Sequence, residues 1–219
     1  RQKVYIEGVY FNEPNAKGLN WEYVEQFVKG VSNCITTKET STPIYRPQVG
    51  QRYYFNDITV DILYSQEQFE STSIAEANPR VNETSTWLLY TIDGQTFLHA
   101  GDTGEGSVEV VKNSYNKNYL SFDVMATFHH GQNVYTSYID YFTYKTILYT
   151  TFVTDSQTAN LRTQENNMMK ANAVKNGGEY MSWGDGTKVL TFPYEVGTVN
   201  SLGLREWTYH PDRQTPTQY

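Results

Sequence analysis

The chain holds one cysteine, Cys34, in its 219 residues, so no internal disulfide can staple the fold, and the redox compartment stays open. Lysine and arginine occur only as isolated residues, and 17 basic against 24 acidic side chains give a formal charge of −7. A basic stripe of the kind that grips a nucleic-acid backbone is therefore missing, and no strong nucleic-acid footprint is expected in this chain. No apolar run approaches the ~18 residues of a membrane helix, so no membrane segment is expected within it. No Gly-x-Ser-x-Gly elbow is present, and Cys34 has no histidine near it in sequence, which argues against a Ser/His/Asp or Cys/His nucleophile. Internal repeats and low-complexity segments are also absent. What is abundant is tyrosine, nineteen in all, within 15% aromatics. Tyrosine favours strands and carries a polar tip, so a sheet-rich domain with half-exposed faces follows. A chain of this length buries ~70% of its unfolded surface and supports a core without staples.

The periodicities give an order of elements. Residues 4–10 alternate like a strand. Residues 15–20 read as a loop with Asn20 as an N-cap. Trp21, Val24, Phe27, Val28 and Val31 then recur at helical spacing, with Gly30 where a helix would end. Residues 36–42 are a threonine-rich loop. Residues 53–55 and 58–63 make a hairpin across Asn56-Asp57, and 65–80 read as a polar surface loop. Residues 87–92 and 95–100 flank Asp93-Gly94, a strong two-residue turn signal because both central positions need positive φ. Residues 104–116 carry Val108, Val111 and Tyr115 at helical spacing, and 122–128 form a buried strand. Residues 131–144 read as a tyrosine-bearing loop or short helix, 146–152 as a strand and 155–165 as loop. Residues 166–176 read as a helix with Met169 and Ala173 inward, closed by Gly177-Gly178. A hairpin of 179–182 and 187–192 through Gly184-Asp185-Gly186 would end the domain, with a tail from 208.

Two of these strands end in chemistry. The run 96–100 closes in Gly101-Asp102, and the run 122–128 closes in His129-His130-Gly131. Neighbouring strands of an α/β sheet would set that carboxylate and imidazole pair side by side at their carboxyl ends, where such sheets place their sites. A helix opening beside Asp102 would add backbone N–H donors.

With Asn82-Glu83-Thr84-Ser85-Thr86 ahead of the strand 87–92, this ordered set resembles the later half of a metallo-β-lactamase-fold hydrolase. It is most similar to the branch that includes the C-terminal domain of the DNA-uptake competence membrane protein, and the likeness runs to about residue 192, roughly half the chain. The resemblance implies an α/β, four-layer αββα fold with a mixed sheet and flanking helices, of which only the C-terminal part would be present. Residues 1–207 would be one metallo-β-lactamase-like domain and 208–219 a tail. It further implies two zinc ions sharing Asp102 as the bridging, catalytic carboxylate, with His129 or His130 as a ligand of the second ion. Asn82 and Ser85 match the segment near the site and become candidates for substrate contact, although turn duty explains them equally well. The substrate class would be a small molecule with an ester, amide or phosphodiester bond.

The family's first metal motif, His-x-His-x-Asp-His, does not occur among the four histidines His99, His129, His130 and His210. The chain opens on Arg1 without a methionine, and the expectation is a chain lacking its N-terminal half, which would be its partner for activity. Two ligands hold zinc poorly, so no tight metal is expected for this chain alone. A plain alternative for Asp102 is a helix cap. His99 lies three positions earlier on an alternating strand, so it is expected to face the other way and pack. The competing class of function is an aromatic binding module for carbohydrate or protein, with Trp87, Trp183, Trp207 and exposed tyrosines as stacking platforms.

Overall fold

The computed structural model describes residues 4–12, 21–65, 81–131, 140–149, 163–182, 187–198 and 200–202. The predicted features at 15–20, most of 65–80, 132–139, 151–162 and 183–186, and the tail with Trp207 and His210, lie outside the described residues.

The chain is an α/β protein built on a seven-stranded mixed sheet with three helices among the described residues. Strands follow the sheet in sequence order: β3 (Arg52–Phe55), β4 (Ile58–Tyr64), β5 (Trp87–Ile92), β6 (Gln95–His99), β7 (Ser121–Ala126), β8 (Thr143–Tyr149) and β9 (Tyr180–Ser182). The first four form an antiparallel meander, and from β6 onward every pairing is parallel. The first two of the three predicted hairpins occur where the turn residues demand them. Asn56 (φ 53), Asp93 (φ 49) and Gly94 (φ 77) adopt the left-handed conformation that joins right-twisted strands through two residues.

Helices α2 (Glu105–Ser114) and α3 (Thr163–Lys175) enter one common core on one side of the sheet. Val108 and Val111 from α2 and Met169 and Ala173 from α3 meet Trp87, Leu98, Phe142 and Ile147 there. Helix α3 ends as its glycines predict: Gly178 N–H bonds Ala173 O at 2.9 Å and Gly177 N–H bonds Val174 O at 3.0 Å, with Gly177 at φ +75. A smaller cluster of Val124, Met181 and Tyr194 covers the opposite side of the parallel half. On that side, among the described residues, the antiparallel half carries the N-terminal segment, through the two-residue strands β1 (Val9–Tyr10) and β2 (Ile44–Tyr45), which pair in parallel. The amphipathic helix α1 (Trp21–Ser32) runs two residues past Gly30. A second large sheet, as a four-layer arrangement requires, is not among the described residues.

Three expectations need correction. The first strand is Val9–Tyr10 rather than 4–10, because its partner Ile44–Tyr45 supplies only two residues of pairing. Strand β8 starts at Thr143, three residues early, because Tyr144 is as fully buried as the β-branched run that suggested a strand. The closing hairpin does not form. Strand β9 joins β8 in the main sheet, while β10 (Thr187–Val189) pairs antiparallel with β11 (Asn200–Leu202). Burial of Met181 against Val124 and Tyr194 favours β9 in the sheet over a free-standing ribbon.

Candidate functional site

Strands β6 and β7 are adjacent and parallel, with Phe97 opposite Val124 and Leu98 opposite Met125. Their carboxyl ends therefore open on the same rim. After β6, Ala100 is buried and Gly101 (φ +60) turns the chain sharply. A Cβ at Gly101 would lie 3.3 Å from Ser85 Cβ, so Ser85 is packed directly against this turn. After β7 the chain enters a short 3-10 turn, Phe128–Gly131, in which His129 (φ 47), His130 (φ 56) and Gly131 (φ +80) are all left-handed. For the two histidines that conformation costs roughly 1–3 kcal/mol each, a burden that tends to collect at functional sites. His129 N–H bonds Gly101 O at 3.0 Å, lacing the two strand-end turns together.

The side chains converge. His130 Nε2 lies 3.0 Å from Asp102 Oδ1, both side chains about half exposed. Asn82 Nδ2 lies 3.3 Å from His129 Nδ1. In this orientation the amide nitrogen can only donate, and His129 Nδ1 accepts. With the amide turned by 180°, Asn82 Oδ1 would accept from Nδ1–H and free Nε2 as an electron-pair donor, the usual orienting contact of a metal-ligating imidazole. Asp102, His129, His130, Asn82 and Ser85 thus share one rim.

His99 closes β6 and its ring lies edge-on to Phe97, centroids 6.4 Å apart. The strand ends at this residue and Gly101 breaks the pleat, so the alternation does not extend to Asp102. Burial first and His130 second hold the His99 pKa below the ordinary 6.5, against an opposing pull from Asp102.

The residue that sequence reasoning missed is Glu83. It is buried, and its carboxylate accepts from Gly106 N–H at 3.1 Å and Ser107 N–H at 2.7 Å, capping α2 from a distant segment. Gly104, the N-cap, makes no side-chain cap bond, and a Cβ there would fall 2.3 Å from Glu83 Oε1. The helix amides therefore serve Glu83 and not the rim, and the cap role considered for Asp102 is taken. The legible signal was a helix start, Thr103-Gly104-Glu105-Gly106, with no capping side chain at its own N-cap. Tyr64 donates its hydroxyl to Glu83 O at 2.7 Å, and burial, then Glu83, pushes the phenol well above its usual range. Trp87 Nε1–H donates to Thr103 Oγ1 at 2.8 Å. Trp87 is fully buried, so it is core and not the stacking platform expected of it; Trp183 lies outside the described residues.

The rim was tested as a zinc site from its donors. A catalytic zinc takes three protein ligands and a structural one four. Here Asp102 and His130 contact each other, His129 Nδ1 is engaged by Asn82, and no group of three or more His, Cys, Asp or Glu able to hold a metal exists among the described residues. The described residues alone do not fit the ion.

No family model matches the chain, and no curated protein matches it. Among solved structures, the chain resembles a Thermotoga maritima protein titled a candidate zinc-dependent hydrolase of the metallo-β-lactamase superfamily. The identity is 16% over 65% of this chain, with a TM-score of 0.29. The chain spans 56% of that protein's structure.

Proposed function

We propose that this rim is the later half of a hydrolytic metal site of the metallo-β-lactamase type, with Asp102 as the shared carboxylate and His129 or His130 as an imidazole ligand. The observation that carries the reading is the meeting of Asp102 and His130 at 3.0 Å on the carboxyl ends of two adjacent parallel strands. Sequence separation alone gives no reason for that meeting, and the strained His129-His130 turn supports a role beyond chain reversal. Asn82 is the residue that orients His129, and Ser85 supports the Gly101 turn beneath Asp102. The remaining donors belong to a preceding half of the same polypeptide, and the substrate carries an ester, amide or phosphodiester bond.

The test compares this chain with a longer product that includes residues encoded upstream of Arg1. Zinc content by metal analysis and hydrolysis of p-nitrophenyl esters and bis-p-nitrophenyl phosphate are followed in both. The longer product is expected to hold two zinc ions and to hydrolyse one of these probes. Asp102→Asn should abolish both properties, and Asn82→Ala should weaken zinc affinity by about 10- to 100-fold. A longer product that binds no zinc, or one that keeps its zinc and activity after both Asp102→Asn and His130→Ala, overturns the reading.

A further inference from the structure

The turn that carries the two imidazoles is anchored at both ends by aromatic rings. At its front, Phe128 is buried against Trp87 and Phe142, with ring centroids 5.0 and 5.5 Å away. At its rear, the Tyr149 ring fills the space that a side chain on Gly131 would need. A Cβ there would lie 1.8 Å from Tyr149 Cε2 and 2.6 Å from both Cδ2 and Cζ, so ring and backbone are in direct contact.

Tyr149 reaches this place because β8 runs parallel beside β7. Ala126 pairs with Leu148, so Tyr149 is the next residue along and stands beside the strand end from which the turn leaves. It shares the face of Ile147, which packs in the core with the helices. The ring is 8% exposed and is itself held. Tyr180 of β9 meets it with centroids 5.9 Å apart, and the Lys170 ammonium of α3 lies 5.6 Å from the Tyr180 centroid. Between the two anchors, His129 and His130 keep a positive φ that non-glycine residues retain only where their surroundings over-determine it. The His130–Asp102 pair is about half exposed, and exposed pairs contribute little to such a task. The buried ring loses its packing if Gly131 swings away, so it is the stronger restraint.

We propose that Tyr149 is a positioning residue for the rim, holding His129 and His130 in place by fixing Gly131. The inference rests on the hydrolytic reading of that rim. Tyr149 is buried against backbone and acts through the two histidines, not on a substrate.

Tyr149→Leu removes the flat ring and Tyr149→Phe keeps it; both are compared with the unaltered chain after a fold check by circular dichroism. Amide hydrogen exchange is followed at His129 N–H, which bonds Gly101 O at 3.0 Å, and at Val111 inside α2 as the reference. Tyr149→Leu should speed exchange at His129 about tenfold or more and leave Val111 unchanged. In the product extended upstream of Arg1, Tyr149→Leu should lower kcat on the p-nitrophenyl probe about 100-fold with KM unchanged. Tyr149→Phe should match the unaltered protein in both measurements. If Tyr149→Leu does not fold, Tyr149→Met, which keeps the bulk without the flat face, is read by the same measures. Unchanged exchange at His129 in the variant that lacks the ring, an unchanged kcat there, or a Tyr149→Phe as impaired as that variant overturns the proposal. An extended product that hydrolyses neither probe in its unaltered form also overturns it, but by removing the hydrolytic reading; the exchange rates keep the two failures apart.

Discussion

Replacing Glu83 with alanine removes two charge-assisted hydrogen bonds, 3.1 Å to Gly106 N–H and 2.7 Å to Ser107 N–H. Bonds to a charged group contribute ~1.5–3 kcal/mol each. Taking the low end, because some freed amides regain water, the loss is ~3 kcal/mol, or a fall of ~6–12 °C in Tm for a chain of this size. Gly104 supplies the internal control. In the unaltered chain a methyl there collides with the Glu83 carboxylate at 2.3 Å, and Gly104→Ala should cost ~1–3 kcal/mol. Gly104 has ordinary extended backbone (φ −102, ψ −174), so alanine is not itself strained. Once the carboxylate is gone, the same methyl fills its place and stiffens the unfolded chain, a gain of ~0.4–1 kcal/mol. The two changes should therefore couple by roughly 1.4–4 kcal/mol, with Gly104→Ala reversing sign between backgrounds. Urea denaturation gives the four free energies, and amide hydrogen exchange at Gly106 and Ser107 reports the cap itself. Additivity within ~0.5 kcal/mol, or unchanged exchange at both amides in Glu83→Ala, would refute the capping argument.

Two further outcomes are expected. Burial alone would raise the Asp123 carboxyl, but bonds from Thr96 N–H at 2.9 Å and Lys145 at 3.0 Å outweigh it and hold its pKa below the ordinary 3.8. The folded chain then binds fewer protons than the unfolded one, so this stabilisation is complete above that ordinary value and disappears as pH falls through the lower folded one. Asp123→Asn should flatten the decline of Tm below pH ~4, and parallel profiles for the two proteins would contradict the assignment. At Gly131, a Cβ would sit 1.8 Å from Tyr149 Cε2 on backbone at φ +80. Gly131→Ala should cost more than ~3 kcal/mol in denaturation, and Tyr149→Ala should recover only part of it, because the left-handed strain remains.

Local chemistry made much of this fold legible. Asn56-Asp57 and Asp93-Gly94 announced their hairpins, Gly177-Gly178 announced the end of α3, and the apolar runs before Gly101-Asp102 and His129-His130 announced neighbouring strands. The meeting of Asp102 with His130 was readable because parallel neighbours must share a carboxyl-end rim. Long-range choices were not readable. Strand β10 takes β11 over β9, although the sequence Gly184-Asp185-Gly186 between them suggested a turn, because β9 gains more by burying Met181 against the sheet. The pairing of Asn82 with His129 spans 47 residues and depends on where the 3-10 turn Val81–Thr84 comes to rest. Glu83 stayed hidden for a similar reason: a charged side chain in a polar triplet looks solvated until a remote helix end is seen to need it. The fate of Trp87 turned on one indole N–H finding Thr103, a partner sixteen residues away.

The change of strand direction at β6 has a kinetic consequence. Pairing β5 with β6 closes a two-residue loop, whereas bringing β7 beside β6 must first order a 21-residue connection that contains α2. Loop closure costs more chain entropy as the separation grows, so the β5–β6 hairpin, like β3–β4, is an early, local product, and the parallel half arrives by slower encounters. Asp102 hangs from the last strand of the early part, while His129 and His130 ride on the first strand of the late part. The rim is thus a seam between two stages of assembly, and its chemistry comes into being only when the second stage is complete.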